Sequence, residues 1–228
     1  MSRNFEVCSF NINDIVKVAS LRPARIEFCK NKNVGGLTPN INDLDYAIST
    51  GIPIHPIIRP REGNFIYSKK EIDKMIEDIE ICKEKNCRGV VFGILDHSLS
   101  VDIKKCKKLM SLCDGLSTTF HMAFDKCKNP IESMRKIIDQ GFDRILTSGG
   151  KKNVIDWIEF NEKIEDKSDD MISIMPGSNL RSSNIDLFLK NNRIRDFHSS
   201  CYINGKFSIE EARLINTKIK NFWLSRLH

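Results

Sequence analysis

PIHPIIRPREGNFIYSKKEIDKMIEDIEICKEKN, Pro53 to Asn86, contains both halves of one structural unit. Its opening is apolar in the manner of a buried strand, with His55, Ile57 and Arg59 on one parity and Ile54, Pro56 and Ile58 on the other. Pro60 stops a strand ladder and stiffens the exit, which places Arg59 at the end of the strand and sends Arg61 toward the loop that follows. From Lys69 the period changes: Ile72, Met75, Ile76, Ile79 and Cys82 form one stripe at helical spacing. A strand followed by a helix, with no Gly/Ser linker between them, is a parallel β-α unit.

The same unit recurs along the chain. Strand-like runs begin at Phe5 (FEVCSF), Arg25 (RIEFC), Pro53 (PIHPII), Gly89 (GVVFGIL), Ser117 (STTFHMAF), Asp143 (DRILTS), Met171 (MISIM) and Arg195 (RDFHSS). Helical spacing recurs between them, as in DIKKCKKLM from Asp102, IDLFL from Ile185 and the closing SIEEARLINTKIKNFWL from Ser208. Eight units in 228 residues predict an α/β protein of the closed (β/α)8 TIM-barrel type, one domain over residues 1–228. An open doubly wound sheet is the alternative, but its Gly-x-Gly-x-x-Gly fingerprint is absent after the first strand, where CSFNIND stands instead.

Composition narrows the function classes. The net charge of +6 is spread over lysines on candidate helix faces, without the clustering and interleaved aromatics of a nucleic-acid surface. The opening MSRNFEVCSFNIND lacks the pattern of a signal peptide, and no apolar run approaches the roughly 20 residues that cross a bilayer. A cytoplasmic protein acting on neither nucleic acid nor membrane is expected. Its eight cysteines are then reduced thiols, and the absence of a Cys-x-x-Cys pair argues against a structural zinc site.

Strand parity indicates which side chains fill the barrel. With Phe5, Val7, Ile26, Phe28, Ile54 and Ile58 turned out toward helices, the inward set holds Glu6, Cys8, Arg25, Glu27, Cys29, His55, Ile57 and Arg59. From the later strands it holds Thr119, His121, Ala123, Asp125, Asp196, His198 and Ser200. Such an interior departs from the branched aliphatic packing usual in barrels, and unpaired buried charges cost several kcal/mol each. These groups must therefore pair with one another, bind a ligand or line a wet mouth. A lone buried histidine is more often a hydrogen-bonded core residue; the set as a whole points to a site at the carboxyl ends of the strands.

The stretches RIEFCKNKNVGGLTPN, IPIHPIIRPREGNFIYS, TTFHMAFD, RILTSGG and FHSS, in this order, resemble the CutC family, whose name comes from copper homeostasis. The resemblance runs to about Ser200. It implies a TIM barrel, a cytoplasmic location, commonly a homodimer, and a copper-related role with no assigned reaction. The chain departs from the family pattern at Met122, where arginine is usual, and at PGSNLRSSN after the seventh strand, where small residues are usual. Beyond the eighth strand the long mouth loop is shortened to CYINGKFS.

Two functional readings follow. In the first, Cys8 and Cys29 are metal ligands that hold Cu(I) as thiolates, the soft donors this ion prefers; the resemblance carries the thiols of EVC and EFC to the same two positions. The strand spacing of about 5 Å predicts a nearly linear pair. In the second, the protein is an enzyme acting on a small phosphate- or carboxylate-bearing ligand. Glu27 and His121 are its candidate base and acid, and Arg59 is the anion fork. The candidate ligand contacts are Arg59, Asp125, His198 and Ser199, with Ser148, Gly149, Gly150 and Gly177 offering backbone N–H groups from the loops after strands six and seven. A third reading, a binding platform without chemistry, leaves every assay indifferent to Glu27, Arg59 and His121. Cys82, Cys87, Cys106 and Cys113 are expected on helical segments away from the mouth.

Overall fold

The alternation read at Pro53–Asn86 is realised eight times. The computed structural model describes residues 3–150 and 154–224. The strands are β1 (Asn4–Ser9), β2 (Arg25–Phe28), β3 (Ile54–Pro56), β4 (Gly89–Phe92), β5 (Ser117–Phe120), β6 (Arg144–Thr147), β7 (Ser173–Pro176) and β8 (Asp196–Ser199). Parallel pairing runs β3-β2-β1-β8 in one arc and β4-β5-β6-β7 in the other. The parallel bridge Ile57↔Val91 joins the arcs on one side. On the other, β7 lies beside β8 and Ser173 Oγ donates to Asp196 Oδ2 at 2.6 Å. The result is a closed TIM barrel.

Helices fill the connections: α1 (Ile12–Ala19), α2 (Ile41–Ser49), α3 (Lys69–Glu84), α4 (Ile103–Met110), α5 (Pro130–Asp139), α6 (Val154–Ser168), α7 (Ile185–Leu189) and α8 (Ile209–Leu224). The stripe predicted on α3 is the buried one, Ile72, Met75, Ile79 and Cys82, with Ile76 packed at its edge. A reciprocal box of Ser68 and Glu71 caps its start. Two apolar regions result. The larger is the shell between strands and helices, with Phe5, Val7, Ile26, Phe28, Ile54, Ile58 and Phe197; the smaller, inside the barrel, is Cys8, Cys29, Ile57 and Val91. Cys82, Cys87, Cys106 and Cys113 all belong to the shell, Cys87 and Cys113 just beyond the ends of α3 and α4 rather than within them.

Strand alternation ends early at β5. Beyond Phe120 the chain winds into a 3-10 turn over Met122–Lys126, with His121 as its cap. Ala123 therefore joins the outer shell instead of facing inward. The segment CYINGKFS is a two-stranded hairpin, β9 (Tyr202–Ile203) and β10 (Lys206–Phe207). Asn204 and Gly205 both have positive φ, 48° and 78°, which a tight two-residue turn requires.

Candidate functional site

Register places the interior charges. Glu6 on β1 lies beside Arg25 on β2 and His198 on β8, Cys8 lies beside Glu27, and Glu27 beside His55. At the barrel floor Arg25 Nε meets Glu6 Oε2 at 2.5 Å and its Nη1 meets Asp196 Oδ1 at 2.8 Å. Glu6 Oε1 lies 2.6 Å from His198 Nδ1. Burial alone would raise the Glu6 pKa, but Arg25 and His198 hold it far below the usual carboxylate range. Burial also opposes charge on His198, yet Glu27, Cys8 and Glu6 hold its pKa well above the ordinary value. Two carboxylates, one guanidinium and one imidazolium thus close a neutral cluster.

Space for these rings comes from glycine. A Cβ at Gly89 would lie 2.6 Å from His55 Cε1, and one at Gly93 would lie 2.8 Å from His121 Nδ1. Burial drives the pKa of both imidazoles down to about 3, so each is neutral; the charge of Arg59 adds to the effect on His121.

Above the floor a cavity of about 290 Å³ opens at the carboxyl ends of the strands, lined by Cys8, Glu27, Arg59, His121, His198 and Ser199 among the residues expected there. Phe10, Lys32, Phe65, Met122, Leu146, Ser178, Asn179 and Arg181 complete most of its wall. This second group escapes a sequence reading because most of it sits on loops, where no alternation assigns a direction. Arg181 and Lys32 are the ones that matter chemically, since both bring positive charge.

Arg59 is only 5% exposed, and its guanidinium donates to three backbone carbonyls, Val34 at 2.6 Å, Gly36 at 2.9 Å and Gly63 at 3.1 Å. It also stacks over Phe65, 5.0 Å from the ring centre. No carboxylate among the described residues forms an ion pair with it. Arg181 likewise bonds to the Leu180 and Tyr202 carbonyls and the Ser199 hydroxyl. Lys32 Nζ sits 4.4 Å from the centre of the Tyr202 ring. The hairpin thus reaches the mouth: Tyr202 hydrogen-bonds Asp14 and meets Phe10 edge-on at 5.6 Å.

Glu27 is the carboxylate on the wall. Burial raises its pKa to about 7 despite the neighbouring His198. Its Oε1 accepts from Cys8 Sγ at 3.4 Å, and Cys8 Sγ is 3.4 Å from Cys29 Sγ. The bond to Cys29, with burial, raises the Cys8 pKa, and burial raises that of Cys29. Both are thiols near neutral pH. Cys8, Glu27 and Cys29 have donor atoms within 4.8 Å of one another, and so do Glu6, Glu27 and His198.

Five expected contacts lie off the cavity wall. The Asp125 carboxylate accepts from the Ser148 N–H at 2.9 Å, the Ser148 hydroxyl at 2.6 Å and the Thr147 hydroxyl. The Gly149 N–H goes to Thr147 Oγ1 at 2.9 Å. The loop after β6 is therefore bonded internally, with Asp125 accepting where an external anion was expected. Gly150 flanks it, and a Cβ there would lie 3.6 Å from the Asp125 carbonyl. Gly177 gives its N–H to Thr147, and a Cβ on it would meet Leu146 at 2.3 Å.

Buried polar atoms nearly always find partners. Those without one among the described residues include Glu27 Oε2, Arg59 Nε and His121 Nε2. All three belong to residues of this one cavity.

Comparison with known proteins agrees with this architecture. The family model described as "CutC family" matches residues 3–203. A CutC-family protein of Enterobacter sp. (strain 638) is 37% identical over 213 residues, 93% of this chain and 84% of that protein. One from Parabacteroides distasonis is 35% identical over 202 residues, 88% of this chain and 83% of the other. The crystal structure of a CutC from Streptococcus agalactiae, which carries a copper-homeostasis name, superposes with a TM-score of 0.82 at 29% identity, covering 87% of this chain and 98% of that one. A Rubisco-like protein from Rhodopseudomonas palustris, at 12% identity and a TM-score of 0.69, shares the fold alone. The chain belongs to the CutC family.

Proposed function

We propose that the protein binds a small anionic metabolite, carrying a carboxylate or phosphate, in the cavity at the barrel mouth. The observation that carries this reading is Arg59, a buried guanidinium on the cavity wall with no carboxylate paired to it among the described residues. Arg59 is central. Carbonyl oxygens satisfy guanidinium hydrogens without neutralising the charge, and a buried cation without a counter-ion favours an anion strongly. Arg181 and Lys32 add to the same field. At about 30 Å³ per water, the cavity has room for roughly ten water volumes, the scale of a small metabolite.

The test is calorimetric titration with inorganic phosphate, pyruvate and phosphoglycolate. Binding of at least one by wild type, weakened about tenfold or more in Arg181→Gln and Arg59→Lys, is expected, since a charge-assisted hydrogen bond contributes about 1.5–3 kcal/mol. Affinities unchanged in both variants would sink the reading.

A second reading is favoured by the thiols. Cys8 and Cys29 would hold Cu(I), with the Glu27 carboxylate within reach as a third donor. The donor chemistry fits. Bound there, copper would supply a soft acceptor for sulfur ligands, and its entry must displace thiol protons. A linear unit spans roughly 4.6 Å at a metal–sulfur distance near 2.3 Å, so the thiols, at 3.4 Å, sit closer than the linear pair expected from strand spacing. Competition titration with a chromophoric Cu(I) chelator tests it, and equal affinity in Cys8→Ser/Cys29→Ser discards it. Eight free thiols also suit a reducing compartment, and a cytoplasmic location forms part of this proposal. Among the described residues no helix is long and apolar enough to cross a membrane.

A further inference from the structure

The charges on the cavity wall do not balance. Arg59, Arg181 and Lys32 line it against a single carboxylate, Glu27, and the charge of His198 is already met by Glu6 beneath it. Among the described residues, none of the three cations forms an ion pair with a carboxylate; their partners are carbonyls, a hydroxyl and a ring face. Positive charge is therefore in excess even with Glu27 ionised. The cations also stand apart. Arg59 follows β3 and Arg181 follows β7, strands on opposite sides of a closed ring of eight. Arg181 is fastened toward β8, to Ser199 Oγ and the Tyr202 carbonyl, both at 3.4 Å. Lys32 Nζ joins it there, 4.4 Å from the centre of the Tyr202 ring. Much of the remaining wall is apolar, with Phe10, Ile57, Phe65, Met122 and Leu146.

The two poles are built differently. At the first, Gly35 lies on the wall where a Cβ would come 3.6 Å from Arg59 Nη1, so its missing side chain keeps the guanidinium approachable. At the second, Ser178, Asn179 and Ser200 line the cavity with Arg181. Ser178 and Asn179 both have positive φ, 56° and 37°, and no acceptor among the described residues takes the N–H of either. Asn184 holds this turn by donating from its side chain to the Asn179 carbonyl at 2.9 Å. Loops after the seventh and eighth strands are where phosphate is frequently held in this fold, and amides, hydroxyls and a guanidinium are its donors. Resting on the anion-binding reading, we infer that the ligand is two-headed, a small metabolite with a phosphate at the Arg181–Lys32 pole and a carboxylate at Arg59, joined by a short carbon chain. Once one head is bound, the other meets its pole at high effective concentration, so the two contributions multiply.

The experiment is calorimetric titration of the full chain with phosphoglycolate, which carries both heads, and with methyl phosphate and glycolate, which carry one each; the weaker two are measured by competition. Wild type should bind phosphoglycolate at least about tenfold tighter than either one-headed probe. Lys32→Gln/Arg181→Gln, which removes both cations of the second pole, should weaken phosphoglycolate and methyl phosphate by about tenfold or more and glycolate by less than about threefold. Lys32→Arg/Arg181→Lys, which keeps both charges, should retain most of the phosphoglycolate affinity and controls for folding. Methyl phosphate bound as tightly as phosphoglycolate overturns the two-headed ligand and leaves anion binding standing. An equal loss of methyl phosphate and glycolate in the double Gln variant shows one diffuse field in place of two poles and overturns it as well. No binding of any probe by wild type overturns this inference and the anion-binding reading together.

Discussion

Glu27 and its neighbours show how far single side chains are governed by surroundings. Its carboxyl, raised to about 7 chiefly by burial, is ionised more easily in the unfolded chain, where the ordinary value is about 4.5. The folded state therefore loses stability as pH rises from there through 7. Glu27→Gln, which cannot ionise, should gain on wild type between pH 5 and pH 8 by an amount on the order of 3 kcal/mol. Urea unfolding at the two pH values measures it, and a pH-independent difference would contradict it. Parity alone placed Glu27, Arg59 and His121 inward. It could not show that the Arg59 guanidinium spends its donors on Val34, Gly36 and Gly63, because those carbonyls are set by a loop with Gly35 and Gly36 at φ of 80° and 90°.

Among the elements, β4 and the β1/β2/β8 group hold most of the design. Glycine at 89 and 93 is what the two imidazoles demand, but the constraints differ. A Cβ at Gly93 meets chiefly the His121 and Phe120 rings, whereas one at Gly89 meets the Ser117 carbonyl at 2.4 Å as well as His55. Gly93→Ala, costing about 1–3 kcal/mol by overpacking, should thus regain much of its loss in combination with His121→Ala. Gly89→Ala should not be rescued by His55→Ala, since the backbone oxygen remains; thermal melts of the four variants decide. In the floor cluster, Arg25→Met leaves Asp196 without its ion-pair partner and Glu6 with His198 alone, and a loss of about 3–5 kcal/mol is expected in chemical denaturation. Where elements depart from the sequence reading, a local turn is responsible. The 3-10 turn after β5 carries Asp125 to Thr147 and Ser148, so the loop after β6 bonds an internal carboxylate.

For the whole molecule, buried titrating groups set the pH range of stability. His55 and His121 have pKa values near 3 when folded and about 6.5 when unfolded. Between those values the unfolded state binds more protons, so stability falls on acidification. Glu6, held low by Arg25 and His198, and Asp196, held low by Arg25 and Ser173, add to the fall once pH drops below the ordinary carboxylate range. His198, shifted upward, acts in the opposite sense and gives up stability as pH rises above about 6.5. Glu27, with its pKa raised to about 7, gains stability over the same fall in pH, but it is one group against two imidazoles. The melting temperature should therefore still decline from pH 6.5 to pH 4, and a flat profile across that interval would argue against neutral buried imidazoles. The sequence by itself determined the eight β-α units, the closed barrel and the inward parity of Glu6, Cys8, Glu27, His55 and His198, because side-chain period is a property of the backbone and needs no partner. Only the tertiary structure decided which polar groups satisfy one another and which are left facing a cavity. Pairing of Glu6 with Arg25 and His198, of Asp125 with Thr147 and Ser148, and the arrival of Lys32 and Arg181 from loops all depend on contacts between residues far apart in the chain, where hydrogen-bond geometry and desolvation, rather than periodicity, select the arrangement.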